Sequence, residues 1–385
     1  MTVPLSILDL TPIPSGGTVA EAVRNTLDLA RRADELGYHR YWLAEHHMAP
    51  GVASSAPQVL IGAVAAATRR IRVGSGAVQV GHWTPLAVVE QFGTLDALHP
   101  GRIDLGIGRS GQRRAELNGL RSAPPPPRAE ERVVDGLLIP RPFDLSVFAG
   151  SDFLRLLGLL QQPGAETPGF VETLDDITAL LAGTYRTPDG LEAHAFPGEG
   201  ADLQLWLLGS SGGESARVAG ERGLPFAANY HVAPYHVLEA VEAYRAAFKP
   251  SEALAEPYVV VSADVVVADD DATARRLAAP YGLWVRSIRS KGGAIPFPTE
   301  EEAAAHVWSD ADRDLVADRV ATQFVGSPAT VAERLRTLRR VTGADELLVT
   351  TIVHDHAARV RSFELLAGEW HGTGQGGTHV LRTAG

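Results

Sequence analysis

The chain has 385 residues, of which 45% are hydrophobic and 21% charged, with a formal net charge of −11 and no cysteine. That balance is typical of a globular protein, and the length suits an α/β barrel with insertions better than a minimal single domain. The negative charge and the lack of a long basic run argue against a nucleic-acid partner, and the missing cysteines exclude disulfides, thiolate metal sites and cysteine nucleophiles.

Met1 to Leu10 lacks the basic region and continuous apolar stretch of a secretory signal, and no segment approaches a membrane span, so a cytoplasmic protein is expected. Leu5–Leu10 reads as a first strand. Thr18 and Glu21 form a capping-box pattern at the head of a predicted helix over Val19–Leu36, which Gly37 closes. A second strand is predicted over Tyr41–Ala44 and runs into Glu45-His46-His47. Helix Pro57–Thr68, strand Ile71–Gly74, helix Pro85–Leu98 and strand Ile103–Ile107 follow in alternation.

Residues 111–170 break this rhythm with four consecutive prolines at 124–127, and read as an insertion or lid over the barrel mouth. Alternation resumes with strand Gln204–Leu208, helix Gly213–Arg222, strand Pro225–Asn229, helix Pro234–Phe248 and strand Tyr258–Val267. A second insertion is expected over 284–322. Ser327-Pro328 opens a helix to Val341, Gly343 follows it, and an eighth strand is predicted over Glu346–Thr351. Eight strand–helix repeats fit a (β/α)8 TIM barrel, one domain over 1–370, with 371–385 as a flexible tail.

Polar residues just past the C-terminal ends of barrel strands line the active face. His46 and His47 stand there after the second strand: either can move a proton near neutral pH, or the two can simply cap backbone groups. After the fifth strand, Gly209 to Ser215 place glycines and serines at a helix N-terminus. That pattern builds a phosphate site, and it also occurs in ordinary capped turns. Arg109, in Gly106-Ile107-Gly108-Arg109-Ser110-Gly111, can reach a phosphate or pair with a helix end. Gly74-Ser75-Gly76-Ala77 implies close approach to the backbone, by a flat ring or by a packed helix. His354-Asp355-His356 has metal-compatible spacing but nothing to complete a ligand set, so no metal is expected and the histidines read as caps of the last helix.

Together these segments resemble the bacterial luciferase-like, flavin-dependent monooxygenase family (alkanal monooxygenase alpha-chain-like). The resemblance rests on Leu36-Gly37-Tyr38 through His47, on Arg70 to Ala77, on Pro85 to Gln91, and on Asp96, Gly101, Arg102, Gly106 and Arg109. Ser210-Ser211 with Ser215, then Gly223-Leu224-Pro225, resembles the family's phosphate loop. It is strongest over 1–110 and returns over 170–250 and 322–370. It implies reduced FMN (FMNH2) supplied by a separate NAD(P)H:flavin reductase, O2 activation as a flavin C4a-hydroperoxide, and oxygenation of a small organic substrate, such as an aldehyde, ketone or natural-product intermediate.

By position, His46 matches the acid/base histidine, with His47 structural. Gly76 and Ala77 match a non-prolyl cis peptide under the isoalloxazine, and Arg109, Ser211 and Ser215 match phosphate contacts, with Ser210 and Gly212 in the same loop. Trp83, Tyr230 and His231 are placed near the ring as substrate-facing residues. A homodimer through helices 57–68 and 85–98 is also implied. Gly108 stands where the luciferase subunit has a cysteine, and 111–170 lacks the family pattern, so light emission and substrate class do not carry over. A deazaflavin (F420)-dependent oxidoreductase and a non-catalytic flavin-binding protein remain alternatives on the same barrel.

Overall fold

The computed structural model describes residues 3–109, 129–148, 152–290 and 293–372. Its centre is a closed ring of parallel strands: β1 (Leu5–Asp9), β2 (Arg40–Leu43), β3 (Arg72–Ser75), β4 (Ile103–Gly108), β5 (Gln204–Gly209), β6 (Phe226–Asn229), β7 (Val259–Val267) and β8 (Glu346–Thr350). Each pairs with the next, and β8 closes on β1. Every strand starts and ends within one residue of its predicted bounds. The chain folds as a (β/α)8 barrel.

Alternation along the strands produces two apolar layers. Leu5, Ile7, Tyr41, Leu43, Val259 and Val261 pack outward beneath the helices. Leu8, Trp42, Trp206, Ala227, Val260 and Leu348 fill the barrel. Local punctuation fixes the helices that cover it. Thr18 and Glu21 form both halves of the capping box of helix Val19–Leu36, and Gly37 ends it at φ 82°. Ser327 caps helix Pro328–Thr342, and Gly343 ends that one at φ 65°.

At the N-terminal end the barrel is plugged by charge. Arg40 reaches Asp104 at 2.8 Å and both Glu346 oxygens at 3.1 Å, while Arg72 holds the other Asp104 oxygen at 2.8 Å. Above the plug, Trp42 and Trp206 meet edge to face at 5.1 Å and form a floor. Trp42 also donates to Asp104 at 2.9 Å, tying floor to plug.

The first insertion divides its work. Arg132–Val134 and Leu137–Ile139 form a hairpin around Asp135-Gly136, at φ 47° and 88°, an Asp-Gly turn that a reading by periodicity passes over. It packs on the barrel flank, where Asp135 O accepts from Arg340, rather than over the mouth. Leu145, Phe148 and Leu157 reach the mouth, and helix Phe170–Leu181 fills the slot before β5. The second insertion folds into helices Tyr281–Arg289, Glu300–Ala305 and Asp310–Thr322. Arg289, bound to Asp318 through both carboxylate oxygens, stacks 3.9 Å from the Phe143 ring centroid and joins the two insertions. The prolines at 124–127, Ser110-Gly111 and most of the expected tail lie outside the described residues. The last helix runs to Gly372, two residues past the predicted domain end.

Candidate functional site

A cavity of about 570 Å³ opens above the tryptophan floor at the C-terminal strand ends, the active face of this architecture. Of the predicted site residues, His46, Gly76, Ala77, Arg109, Ser210, Ser215 and His231 line it. Three features define its chemistry.

The first is the corner after β2. The Glu45 carboxylate, 3% exposed, accepts the Gln79 backbone N–H at 2.7 Å and the Trp83 indole N–H at 2.9 Å, and lies 2.7 Å from His47 Nε2. Gln79 returns a hydrogen bond to the Glu45 carbonyl at 2.6 Å. These bonds lock the end of β2 to the segment after Gly76–Ala77, whose peptide is cis. His46 is held through its backbone N–H to Ser54 O at 3.0 Å, while its Nδ1 is buried with no hydrogen-bond partner among the described residues. Burial lowers its pKa to about 4, with Glu45 opposing and His47 adding, so the ring is neutral at pH 7. It can take a proton or share one, but it does not present a cation.

The second is a wall of small residues. A Cβ at Gly74 would lie 2.4 Å from Asp104 O, and one at Gly106 would lie 2.1 Å from Ser75 O. Close approach of β3 and β4 therefore explains those two glycines. A Cβ at Gly76 would lie 2.8 Å from Leu8 Cδ1, so packing explains that glycine too; Gly76, Ala77 and Gly108 line the cavity, where none of them carries more than a methyl group.

The third is an anion-compatible end. Arg109 leaves β4 and pairs with Glu214 at 3.0 Å. Helix Glu214–Glu221 begins at Gly213 with no side-chain cap, so its first N–H groups and positive dipole end are not spent on a cap. Ser215, 4% exposed, sits in that first turn. Ser211 and Gly212 stand in the same loop just outside the cavity lining. Ser211 Oγ would be 3.3 Å, and an Arg109 nitrogen 3.8 Å, from a Cβ built at Gly213.

Two predicted residues are placed elsewhere. Trp83 does not line the cavity and holds Glu45 from behind. Tyr230 belongs to the outer core, 1% exposed, and donates to Leu138 O of the hairpin at 2.7 Å. His354 and His356 bond to Ser15 O and Asp28, and Asp355 rather than either histidine accepts from Ala358 N at the head of the last helix. Among the described residues no group of three His, Cys, Asp or Glu could hold a metal. Sequence reading missed the polar residues opposite the Arg109 end: Asn229, Ser262, Asp264 and Arg319 all line the cavity. The inward parity of β6 and β7 is the signal that would have found the first three.

Fold and cavity define a (β/α)8 barrel with a cavity of small-molecule size at its C-terminal face. A sequence profile of the luciferase-like monooxygenases matches residues 3–138 and 152–346. The chain belongs to that family. It is 39% identical over 370 residues to the uncharacterized protein YvbT of Bacillus subtilis (strain 168), covering 95% of this chain and 96% of that one. It is 36% identical over 365 residues to a luciferase-like monooxygenase of Escherichia coli (strain K12), covering 94% and 96%. Among solved structures, apo-MsnO8 gives a TM-score of 0.76 at 33% identity, over 96% of this chain and 98% of that one. Two others share the fold alone. The FMN complex of the oxygenating constituent of a Pseudomonas putida diketocamphane monooxygenase has a TM-score of 0.62 at 20% identity, over 95% and 98%. An F420-dependent secondary alcohol dehydrogenase has 0.59 at 15%, over 96% and 99%. No described helix is long and apolar enough to cross a membrane.

Proposed function

We propose that the chain is a flavin-dependent monooxygenase that binds reduced FMN, delivered by a separate NAD(P)H:flavin reductase, and uses O2 to oxygenate a small organic molecule. The observation that carries this reading is convergence. A neutral histidine with an unpartnered buried nitrogen, a wall of small residues and an anion-compatible helix end meet on one cavity. Family membership supports the oxygenase class.

When bound, reduced FMN supplies the electrons and the site at which O2 is activated. Arg109, Ser210, Ser211, Ser215, the Gly212 backbone and the N-terminus of helix Glu214–Glu221 would hold its phosphate. Gly76, Ala77 and Gly108 offer the flat surface on which a fused ring rests. His46, neutral at pH 7, takes up or returns a proton at the reacting end, and Trp284, Ile288 and Ile352 exclude water from the space beside it.

FMN is favoured over F420 by Glu214. One cation already shared with a carboxylate suits a single phosphate, whereas the additional carboxylates of a deazaflavin tail would gather next to Glu214. A homodimer through helices Pro57–Ala67 and Pro85–Leu98 belongs to the same reading, with Val59 and Leu98 there 72% and 67% exposed. Anaerobic calorimetric titration with FMNH2 and with reduced F420 tests the cofactor. FMNH2 should bind more tightly, and the reverse order would sink the FMN assignment.

A further inference from the structure

The cavity has a second polar end that flavin binding at Arg109 leaves unused. Arg319, on helix Asp310–Thr322, is 8% exposed and lines the cavity. Its Nε and Nη2 donate to the Tyr281 hydroxyl at 3.1 and 2.7 Å, and Nη2 also donates to Asp264 at 3.3 Å. Nη1 has no hydrogen-bond partner among the described residues. His231 lines the same cavity, its Nδ1 2.6 Å from Ser262 Oγ.

The tautomer of His231 follows from satisfying the serine. Ser262 Oγ has no other partner among the described residues, so its single proton is used only by donating to Nδ1. The neutral ring then carries its own proton on Nε2, which also has no acceptor among them. Arg319 and His231 therefore hold N–H groups that line the cavity with nothing among the described residues to receive them, and the Trp284 indole N–H, also unpartnered there, is a third donor on the same lining.

We propose that Arg319 and His231 form the head-group subsite for the substrate, which is a neutral molecule with an oxygen acceptor at one end and an apolar body. The neutrality follows from charge. Asp264, 4% exposed, already balances Arg319, and Tyr281 donates to the same carboxylate. A carboxylate ligand would bring a second buried anion to one cation, at a desolvation cost the pair does not offset. A carbonyl, amide or sulfoxide oxygen accepts the same N–H groups and adds no charge. The apolar body follows from the neighbours. Trp284 and Ile288 come from the helix that carries Tyr281, and Val52 and Ile352 line the wall beside them.

The inference rests on the proposed function only in giving the Arg109 end to the flavin. The flavin's own carbonyl edge offers the same chemistry, so the test separates the two sources. Calorimetric titration of the full chain, without flavin, by 2-heptanone, heptanoate and heptylammonium compares three head groups on one chain length. The ketone should bind about tenfold more tightly than either ion. His231→Leu should weaken the ketone about tenfold, His231→Gln, which keeps an N–H, should restore most of that, and Ser262→Ala, which frees the tautomer, should cost about threefold.

Tighter binding of heptanoate than of the ketone overturns the neutral head group, and unchanged ketone affinity in His231→Leu overturns the subsite. A parallel FMN titration completes the test. Loss of FMN affinity in His231→Leu with ketone affinity intact assigns the donors to the flavin and overturns the substrate role. Failure of the unmodified chain to bind FMNH2 under anaerobic conditions sinks the cofactor reading, while the ketone series still decides this one.

Discussion

At the N-terminal end of the barrel, Arg40 lies 1% exposed between Asp104 and Glu346, with Gln204 at 2.8 Å, and Ser6 and Tyr258 complete the shell around Glu346. Its remaining nitrogen, Nη2, has no hydrogen bond, but the guanidinium stands 4.6 Å from the Trp206 ring centroid, where the π face compensates a cation. At the C-terminal end, inward positions of β6, β7 and β8 carry Asn229, Ser262, Asp264 and Thr350. There the Asn229 and Thr350 oxygens and His46 Nδ1 lack partners among the described residues, beside about 570 Å³ of space. Both ends bury polar side chains. One end spends their bonding capacity on its own fold and the other leaves several groups unpartnered among the described residues, and this contrast separates scaffold from candidate site better than burial or charge alone.

The contrast is broken most sharply at His46. His46→Ala should lower oxygenation of an accepted substrate under reduced FMN and O2 by about 10²–10⁴-fold. It should leave denaturant stability within about 1 kcal/mol, because no side-chain bond is lost. Equal turnover would remove His46 from proton transfer. Arg40→Met should do the opposite, costing about 3–5 kcal/mol by stranding Glu346 and part of Asp104 without their cation. Urea unfolding measures it, and a loss under about 1 kcal/mol would mean that the plug is filler rather than scaffold.

These two residues also show why one end was legible in the sequence and the other was not. His46 announces itself locally, since it follows an apolar run at the position where a barrel keeps its chemistry. The strands and caps are local in the same way, which is why their bounds held to one residue. Arg40 is separated from Glu346 by 306 positions, and Arg319 from Asp264 by 55, so no spacing rule reveals either pair. Tyr230 is a different kind of miss. Asn229 and His231 line the cavity and Tyr230 lies between them, so strand parity sends its ring to the outer core. Trp83 faces Glu45 rather than the cavity, a choice that only tertiary packing decides.

At the anion-compatible end, Arg109→Met should weaken FMN about 10- to 100-fold, as loss of a charge-assisted contact to phosphate does. The loss should shrink when riboflavin, which has no phosphate, replaces FMN in the same fluorescence titration. Equal losses for the two flavins would place Arg109 at the ring or in the fold rather than at the phosphate.

The smallest effect expected is on stability against pH, and it sharpens the comparison because the two histidines that burial lowers furthest, His46 and His231, both lie at the site end. His46 and His231 fall from 6.5 to about 4 and about 3 in the folded chain, chiefly through burial, with Arg319 and His46 adding at His231. Below about pH 6.5 the unfolded chain takes up protons that the folded one refuses, so stability should decline as pH drops from 7 toward 4. The slope is at most about 1.4 kcal/mol per pH unit for each histidine. His39, also lowered by burial, adds to the decline, whereas Asp264, raised by burial, holds its proton better when folded and pulls the other way above pH 4. Unfolding midpoints at pH 7, 6 and 5 should therefore converge in His231→Gln relative to the unmodified chain. Parallel curves for the two would mean that His231 is solvated in the folded state, and the cavity would then be wetter and more open than its lining implies.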